Sequence, residues 1–320
     1  DIPKSIDGKA FLGKKLKKSE LEKRNSAFGY ADRFDEKYDL VRSIRKGKYK
    51  YMRNYQPFNV DGLYNFYRYK MLAYKEWYTL FQDGKLNDIQ SQFFKPKSPE
   101  SLYNIEEDPH ETTNLANDIA YNDILLTMRE DLNNHLMSIN DLSFLPEPYF
   151  LKNGIDDVVE YSAQNKTLIK KLIETSNLQL KDYDEVSSQI KNSLSDDNPW
   201  VRYWGLIVCS SFGTKAMENK DKINTIFEND SENLVRMRAA EFMLLNDIEL
   251  NDSKINSLLK RSNFEAEANL MLNTLANIKT INPKYKLNLN KNVFPENWIP
   301  PIREENALVN RRMNYLTENE

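Results

Sequence analysis

Six residues that return after 34 positions constrain this chain more than anything else in it. Asp197-Asn198-Pro199-Trp200-Val201-Arg202 recurs as Ser231-Glu232-Asn233-Leu234-Val235-Arg236, and a degenerate third copy centres on Ala266 to Ala276. The first two copies each read as a turn, a Val-Arg pair and an apolar helix, carrying Trp204, Leu206 and Ile207 in one and Ala239, Ala240, Met243 and Leu244 in the other. A unit of this size cannot bury its apolar face alone, so neighbouring units must stack. Residues 166–285 are therefore expected to be helical throughout, as an all-α solenoid.

The remainder is of another kind. At 320 residues the chain has room for two domains and a substantial core. Tyr38 to Arg45 and Lys48 to Tyr55 are rich in β-branched and aromatic residues and flank Lys46-Gly47, which predicts a β-hairpin. Ser26 to Tyr30 and Ser101 to Ile105 read as further strands. Asp118 opens a helix with Ile124, Met128, Leu132 and Leu136 at i, i+4 spacing and Leu125 beside them. Strands followed by a helix predict an α+β unit: a small antiparallel sheet with packed helices over 1–145, ahead of the helical repeats. Leu145-Pro146-Glu147-Pro148 opens an apolar-poor stretch, which predicts a linker over 146–165. Residues 286–320 form a C-terminal tail.

Composition excludes several chemistries. With 9 Gly, 2 His and 1 Cys, glycine-cradled phosphate sites, three-histidine metal sites and disulfides are all out of reach. The net charge of −3 gives no reason to expect nucleic acid as a partner. Residues 1–55 nevertheless carry 16 Lys+Arg against 8 Asp+Glu, which favours an anionic partner or forms a plain solvated face. No apolar run approaches the roughly 18 residues that cross a bilayer, so no membrane span is expected. The chain begins at Asp1 without a leader, so its start is expected to have been trimmed, processed or lost.

Individual reactive residues add little. Cys209 lies in Leu206-Ile207-Val208-Cys209, where a thiol reads as a small buried hydrophobe. His110 belongs to the turn Asp108-Pro109-His110-Glu111, with Glu111 placed to accept backbone N–H groups at the next bend, and His135 has no evident Ser or Cys partner. The 14 aromatics of residues 49–94 could stack on sugar rings, but with Leu63, Met71, Leu72 and Leu80 among them they read mainly as core.

Three motifs in order carry a resemblance. Ile2-Pro3 to Phe11-Leu12-Gly13, containing Asp7-Gly8-Lys9, looks like the Pro and Asp-Gly-x-Ser-Phe-Leu stretch that closes the catalytic half of formylglycine-dependent sulfatases, with Ala10 in place of the Ser. Tyr30-Ala31-Asp32-Arg33-Phe34-Asp35-Glu36, with the strands that follow, resembles the hairpin of their C-terminal subdomain. Leu102-Tyr103-Asn104, Asp108-Pro109-His110-Glu111 and Asn114-Leu115-Ala116 match the sulfatase Leu-Tyr-Asp, Asp-Pro-x-Glu and Asn-Leu-Ala series. The resemblance covers residues 1 to about 145, is nearest to sulfatases similar to heparan N-sulfatase, and extends to a tail similar to HEAT repeats.

That resemblance implies a parent enzyme, periplasmic or extracellular, that hydrolyses sulfate from sulfated polysaccharide or glycosaminoglycan sugars. Its formylglycine, made within a Cys/Ser-x-Pro/Ala-x-Arg motif, attacks sulfur while calcium neutralises the sulfate oxygens. Cys209-Ser210-Ser211-Phe212-Gly213 lacks both the Pro/Ala and the Arg, and no Ser fits either. The chain is thus expected to be an inactive C-terminal part, with a missing N-terminal catalytic half as partner and no catalytic residue or metal ligand of its own. Arg33 is expected at the substrate rim, gripping a carboxylate or sulfate of an anionic saccharide, with Asp35 orienting it or accepting sugar hydroxyls. The plainer alternative is an exposed ion pair beside a strand. A different class of function, a helical-repeat module that binds a protein partner, also fits the third region.

Overall fold

Period-two alternation in the first hundred positions produces a four-stranded sheet in the computed structural model, which describes residues 8–14, 16–282, 285–295, 298 and 308–317. The strands β1 (Ser26–Phe34), β2 (Lys37–Lys46), β3 (Tyr49–Asn54) and β4 (Glu100–Asn104) are antiparallel and lie in sequence order. Ile2-Pro3 and Asp7 of the first sulfatase-like stretch lie outside the described residues. The β2–β3 turn is Gly47-Lys48, one position later than expected, with Lys46 opposite Tyr49. Gly47 takes a φ of 60°, which costs a residue without Cβ little.

One face of the sheet is closed and the other is open. Leu40 and Ile44 of β2, Tyr51 and Arg53 of β3 and Leu102 of β4 are buried, while the alternate residues Val41, Ser43, Met52 and Tyr103 are only partly so. Short helices α1 (Lys18–Glu22), α2 (Phe66–Tyr69), α3 (Leu72–Gln82) and α4 (Asp88–Ser91) precede β4, and α5 (Asn122–Ile139) follows it. Asp118 caps the turn before α5 by accepting the Ala120 N–H at 2.9 Å. Leu125, Met128, Leu132 and Leu136 of α5 are buried where the helix crosses β2 and β3. Each such side chain stabilises the fold by about 1.5–3 kcal/mol at most.

The stretch expected as a linker is helical. It holds α6 (Glu147–Asn153) and α7 (Val158–Gln164), and just before them Phe144 and Leu145 are 1% and 0% exposed. The two prolines misled the reading: Pro148 sits in the first turn of α6, where a missing N–H leaves no bond unmade. Phe144 packs edge-on against Tyr55 at 4.9 Å, and its carbonyl accepts the Trp204 indole N–H at 2.8 Å. A single apolar cluster consequently runs from Tyr38 to Leu316.

The helices α8 (Lys166–Ser176), α9 (Tyr183–Ser193), α10 (Pro199–Phe212), α11 (Lys220–Asn229), α12 (Asn233–Leu245), α13 (Asp252–Lys260) and α14 (Glu265–Ile281) follow. Of these, α8, α10, α12 and α14 pack side by side, with α9 against α10 and α11 against α12. Val201 and Val235, equivalent in the repeat, are 1% and 0% exposed. Gly205 permits the α9–α10 contact, because a Cβ there would meet Ser193 Oγ at 2.3 Å. Arg202 reaches the next unit, donating to both carboxylate oxygens of Asp230 at 2.7 and 3.0 Å. Its counterpart Arg236 does not, and instead donates to the Phe227 carbonyl at 2.5 Å within its own pair.

α14 ends the row by turning to the sheet. Asn273 accepts the Tyr38 N–H and donates to the Tyr38 carbonyl, both at 3.0 Å. Asn277 does the same for Val60 N–H and Phe58 carbonyl at 3.3 and 3.2 Å, and Asn269 donates to the Glu36 carbonyl at 3.5 Å. The final helix, α15 (Leu308–Thr317), packs on α14, and its Arg312 donates to the Tyr64 carbonyl and to Asn273 Oδ1.

Candidate binding cleft on the open sheet face

The open face forms the floor of a cleft of about 660 Å³. Ala31, Val41, Met52, Ser101 and Tyr103 come from the strands, Trp77 from α3, Phe93, Lys95 and Lys97 from the segment before β4, and His110 and Glu111 from the turn after it. Trp77 and Phe93 stack at 4.6 Å with their planes 14° apart, and the indole N–H donates to the Gln90 carbonyl at 3.1 Å. α3 buries none of its residues, so its aromatics wall cavities instead of filling the core. The 14 aromatics of residues 49–94 are thus divided, with Tyr51, Tyr55, Phe58, Tyr69 and Phe94 in the core and the rest at least partly exposed.

Charge at the cleft is organised around two lysines and two carboxylates, of which Lys37 and Asp39 are buried and Lys97 and Asp61 partly exposed. Lys97 Nζ donates to Asp39 at 2.5 Å and to Asp61 at 3.0 Å. Burial works against its charge, yet the two carboxylates win and raise its pKa. Asp61 is pushed up by burial, but Lys97 and Lys37 outweigh that and hold it below the usual carboxylate range. Lys37 receives weaker help, 4.0 Å from Asp61, and burial lowers it to about 8.

The sulfatase-like motif after β4 is scaffolding in this geometry. Asn114 Oδ1 accepts the Leu102 and Ala116 N–H groups at 2.9 and 3.0 Å, and Leu115 N–H donates to the Leu102 carbonyl at 2.8 Å, so the segment completes the β4 edge. The bend is held by Asp108, not by Glu111 as expected. Asp108 accepts the Thr113 N–H at 2.8 Å and the Thr112 hydroxyl at 3.1 Å, which lowers its pKa, whereas Glu111 takes the Lys50 ammonium at 2.7 and 2.8 Å. His110 is exposed at the cleft margin.

Arg33 and Asp35 are not among the residues lining this cleft. A bulge after Ala31 puts Arg33 opposite Tyr38. There its guanidinium forms a two-pronged ion pair with Glu147 of α6 and donates to the Asp35 carbonyl at 3.1 Å. Asp35, at the β1–β2 turn with a φ of 57°, takes Arg311 of α15 at 2.7 Å. The cleft sets ring faces beside lysine ammonium groups. Cys209 is 0% exposed inside α10, and burial pushes its thiol up to about 12. Among the described residues no three His, Cys, Asp or Glu side chains converge as metal ligands do.

No family model matches the chain. Over 143 residues, 44% of its length, it is 37% identical to a curated protein of Formosa agariphila named as an ulvan-active sulfatase. Part of this chain is sulfatase-related. The chain spans 23% of that relative's length. No helix among the described residues is long and apolar enough to cross a membrane. Trp77, Phe93 and Lys97 were not singled out from sequence, although Lys95-Pro96-Lys97 directly after an aromatic pair was a visible signal of cations placed beside ring faces.

Proposed function

We propose that this chain is the C-terminal part of a formylglycine-dependent sulfatase whose full-length parent removes sulfate from a sulfated polysaccharide. In this reading the chain supplies scaffold and substrate rim, while the formylglycine and calcium belong to a catalytic half that covers the open sheet face. The observation that carries it is the identity to a sulfatase over 143 residues. The stacked helices α8–α14 are read as HEAT-like repeats that buttress this face, and the parent is read as an exported bacterial enzyme.

Trp77 with Phe93 offers a ring platform and Lys95 an ammonium for an anionic sugar, while Arg33 and Asp35 are assigned to the rim formed with the covering half. The test is kinetics of Trp77→Ala and Arg33→Ala in the full-length parent. For the polysaccharide KM should rise about tenfold, with kcat/KM for a small aryl sulfate changed less than about twofold. Equal losses on both substrates would reveal a folding defect, and no loss on either would remove these residues from the rim.

A further inference from the structure

A cavity of about 310 Å³ lies where β3 meets α5 and the turn that follows α8, and Arg53 lines part of it. Arg53 is 2% exposed, and neutral groups alone hold its guanidinium: Nη1 donates to the Asn54 and Pro99 carbonyls at 3.0 and 2.7 Å, and Nη2 to the Ser176 carbonyl at 3.1 Å. The Tyr55 ring lies 4.7 Å away, and Nε has no hydrogen-bond partner. Burial opposes this charge and lowers its pKa. The similarly buried Arg42 and Arg238 instead meet carboxylates, those of Asp32 and Asp141 at 2.5 and 2.6 Å and that of Glu241 at 2.8 Å. Glu100, the carboxylate that acts on Arg53, is already taken by the Tyr51 hydroxyl at 2.9 Å and by Arg129 at 2.6 and 2.9 Å. Two further lining groups are unspent. Lys181 is exposed, Asn133 Oδ1 accepts the Asn177 amide at 2.9 Å, and neither the Lys181 ammonium nor the Asn133 amide nitrogen has a partner among the described residues.

From this buried charge without a counter-charge we propose that the cavity between β3 and α5 binds a small organic anion, a carboxylate on an apolar body the size of one ring. A charge taken out of water is costly, and carbonyl dipoles repay only part of that cost. A carboxylate in the cavity supplies the missing opposite charge through a poorly polarisable interior, where the attraction does not require direct contact with Arg53. The Lys181 ammonium and the Asn133 amide donate to its oxygens, while Leu126 and Leu180 of the same lining pack against the apolar body. At about 310 Å³ the cavity stands at the lower end of small-molecule sites, which suits a single ring. Glu130, exposed on the same lining, repels a second negative charge, so inorganic sulfate gains less than a monocarboxylate. Strand alternation sets Arg53 on the sheet face opposite Met52, and no residue lines both this cavity and the first cleft, so the proposal does not depend on the sulfatase reading.

The experiment is calorimetric titration of the 320-residue chain with benzoate, with neutral benzamide and with inorganic sulfate. Wild type should bind benzoate about tenfold more tightly than either of the others. Arg53 ties three carbonyls together, and its replacement endangers the fold, so the variants are placed at the exposed Lys181 and Leu126. Lys181→Glu should weaken benzoate about fivefold and change benzamide less than about twofold. Leu126→Ala should weaken both ring ligands about threefold. Circular dichroism verifies that each variant is folded. Absence of benzoate binding by wild type would overturn the proposal. So would benzamide or sulfate that binds as tightly as benzoate, or benzoate binding that both folded variants leave unchanged.

Discussion

Lys37 carries a pH dependence that follows from burial alone. Its folded pKa near 8 lies below its ordinary 10.5. Below pH 8 both folded and unfolded chains hold the proton, and the fold bears the cost of a buried ammonium. Between about 8 and 9 the unfolded chain binds more protons at Lys37, so stability rises with pH, by about 1 kcal/mol over that interval. Lys97, shifted upward, keeps its contribution until pH passes the ordinary lysine value, whereas the Cys209 thiol, pushed up from 9.0 to about 12 by burial, draws stability down above about pH 9, so only the interval from about 8 to 9 belongs to Lys37. Urea unfolding of wild type should show the rise and Lys37→Met should not. An identical slope in both would assign the effect elsewhere. Nothing in the sequence marks Lys37: it follows Glu36 at the start of a strand, and only the packing of residues 59–61 and 97 beneath it decides that it is buried. The turn at Asp108 was legible, but its roles were exchanged, because Glu111 adopts a φ of 54° that sends its side chain to Lys50.

At the scale of elements, alternation and helical period were sufficient for β1–β4 and α5, since each needs only one buried face. The repeat reading recovered the helices but not the reason why its third copy is degenerate. At a spacing of 34, Asn269, Asn273 and Asn277 occupy the positions of Val235, Ala239 and Met243. Those positions face helices in α12. In α14 they face the backbone of β2 and of residues 58–60, whose N–H and carbonyl groups require partners. Asparagine supplies a donor and an acceptor at once, so the third unit exchanges apolar packing for a polar clasp. Asn273→Ala would leave the Tyr38 amide groups and an Arg312 N–H buried without partners, at a cost of about 3 kcal/mol. Chemical denaturation reads that loss directly, and a change below about 1 kcal/mol would mean that water or a neighbour replaces the clasp. Prolines misled the sequence reading for the opposite reason: Pro148 marks a helix start, and only its flanking apolar residues, buried at a distance in sequence, distinguish that from a linker.

Across the whole molecule, the sheet, the helix row and α15 share one core, while the open sheet face and its aromatic cleft remain at the surface. In the proposed reading, the uncovered sheet face with its rings and lysines would hold a polymer for chemistry performed by another part of the protein. The family likeness was legible because its motifs fix backbone turns, whereas the clefts were not, since they join residues brought together only by folding. In the proposed reading, the catalytic centre for sulfate ester hydrolysis lies outside this chain. The direct measurement is sulfate release by the purified 320-residue chain from a small aryl sulfate and from ulvan, each in the presence of calcium. Both substrates should release sulfate only at the buffer rate. Release above that rate, abolished by Cys209→Ala, would contradict it.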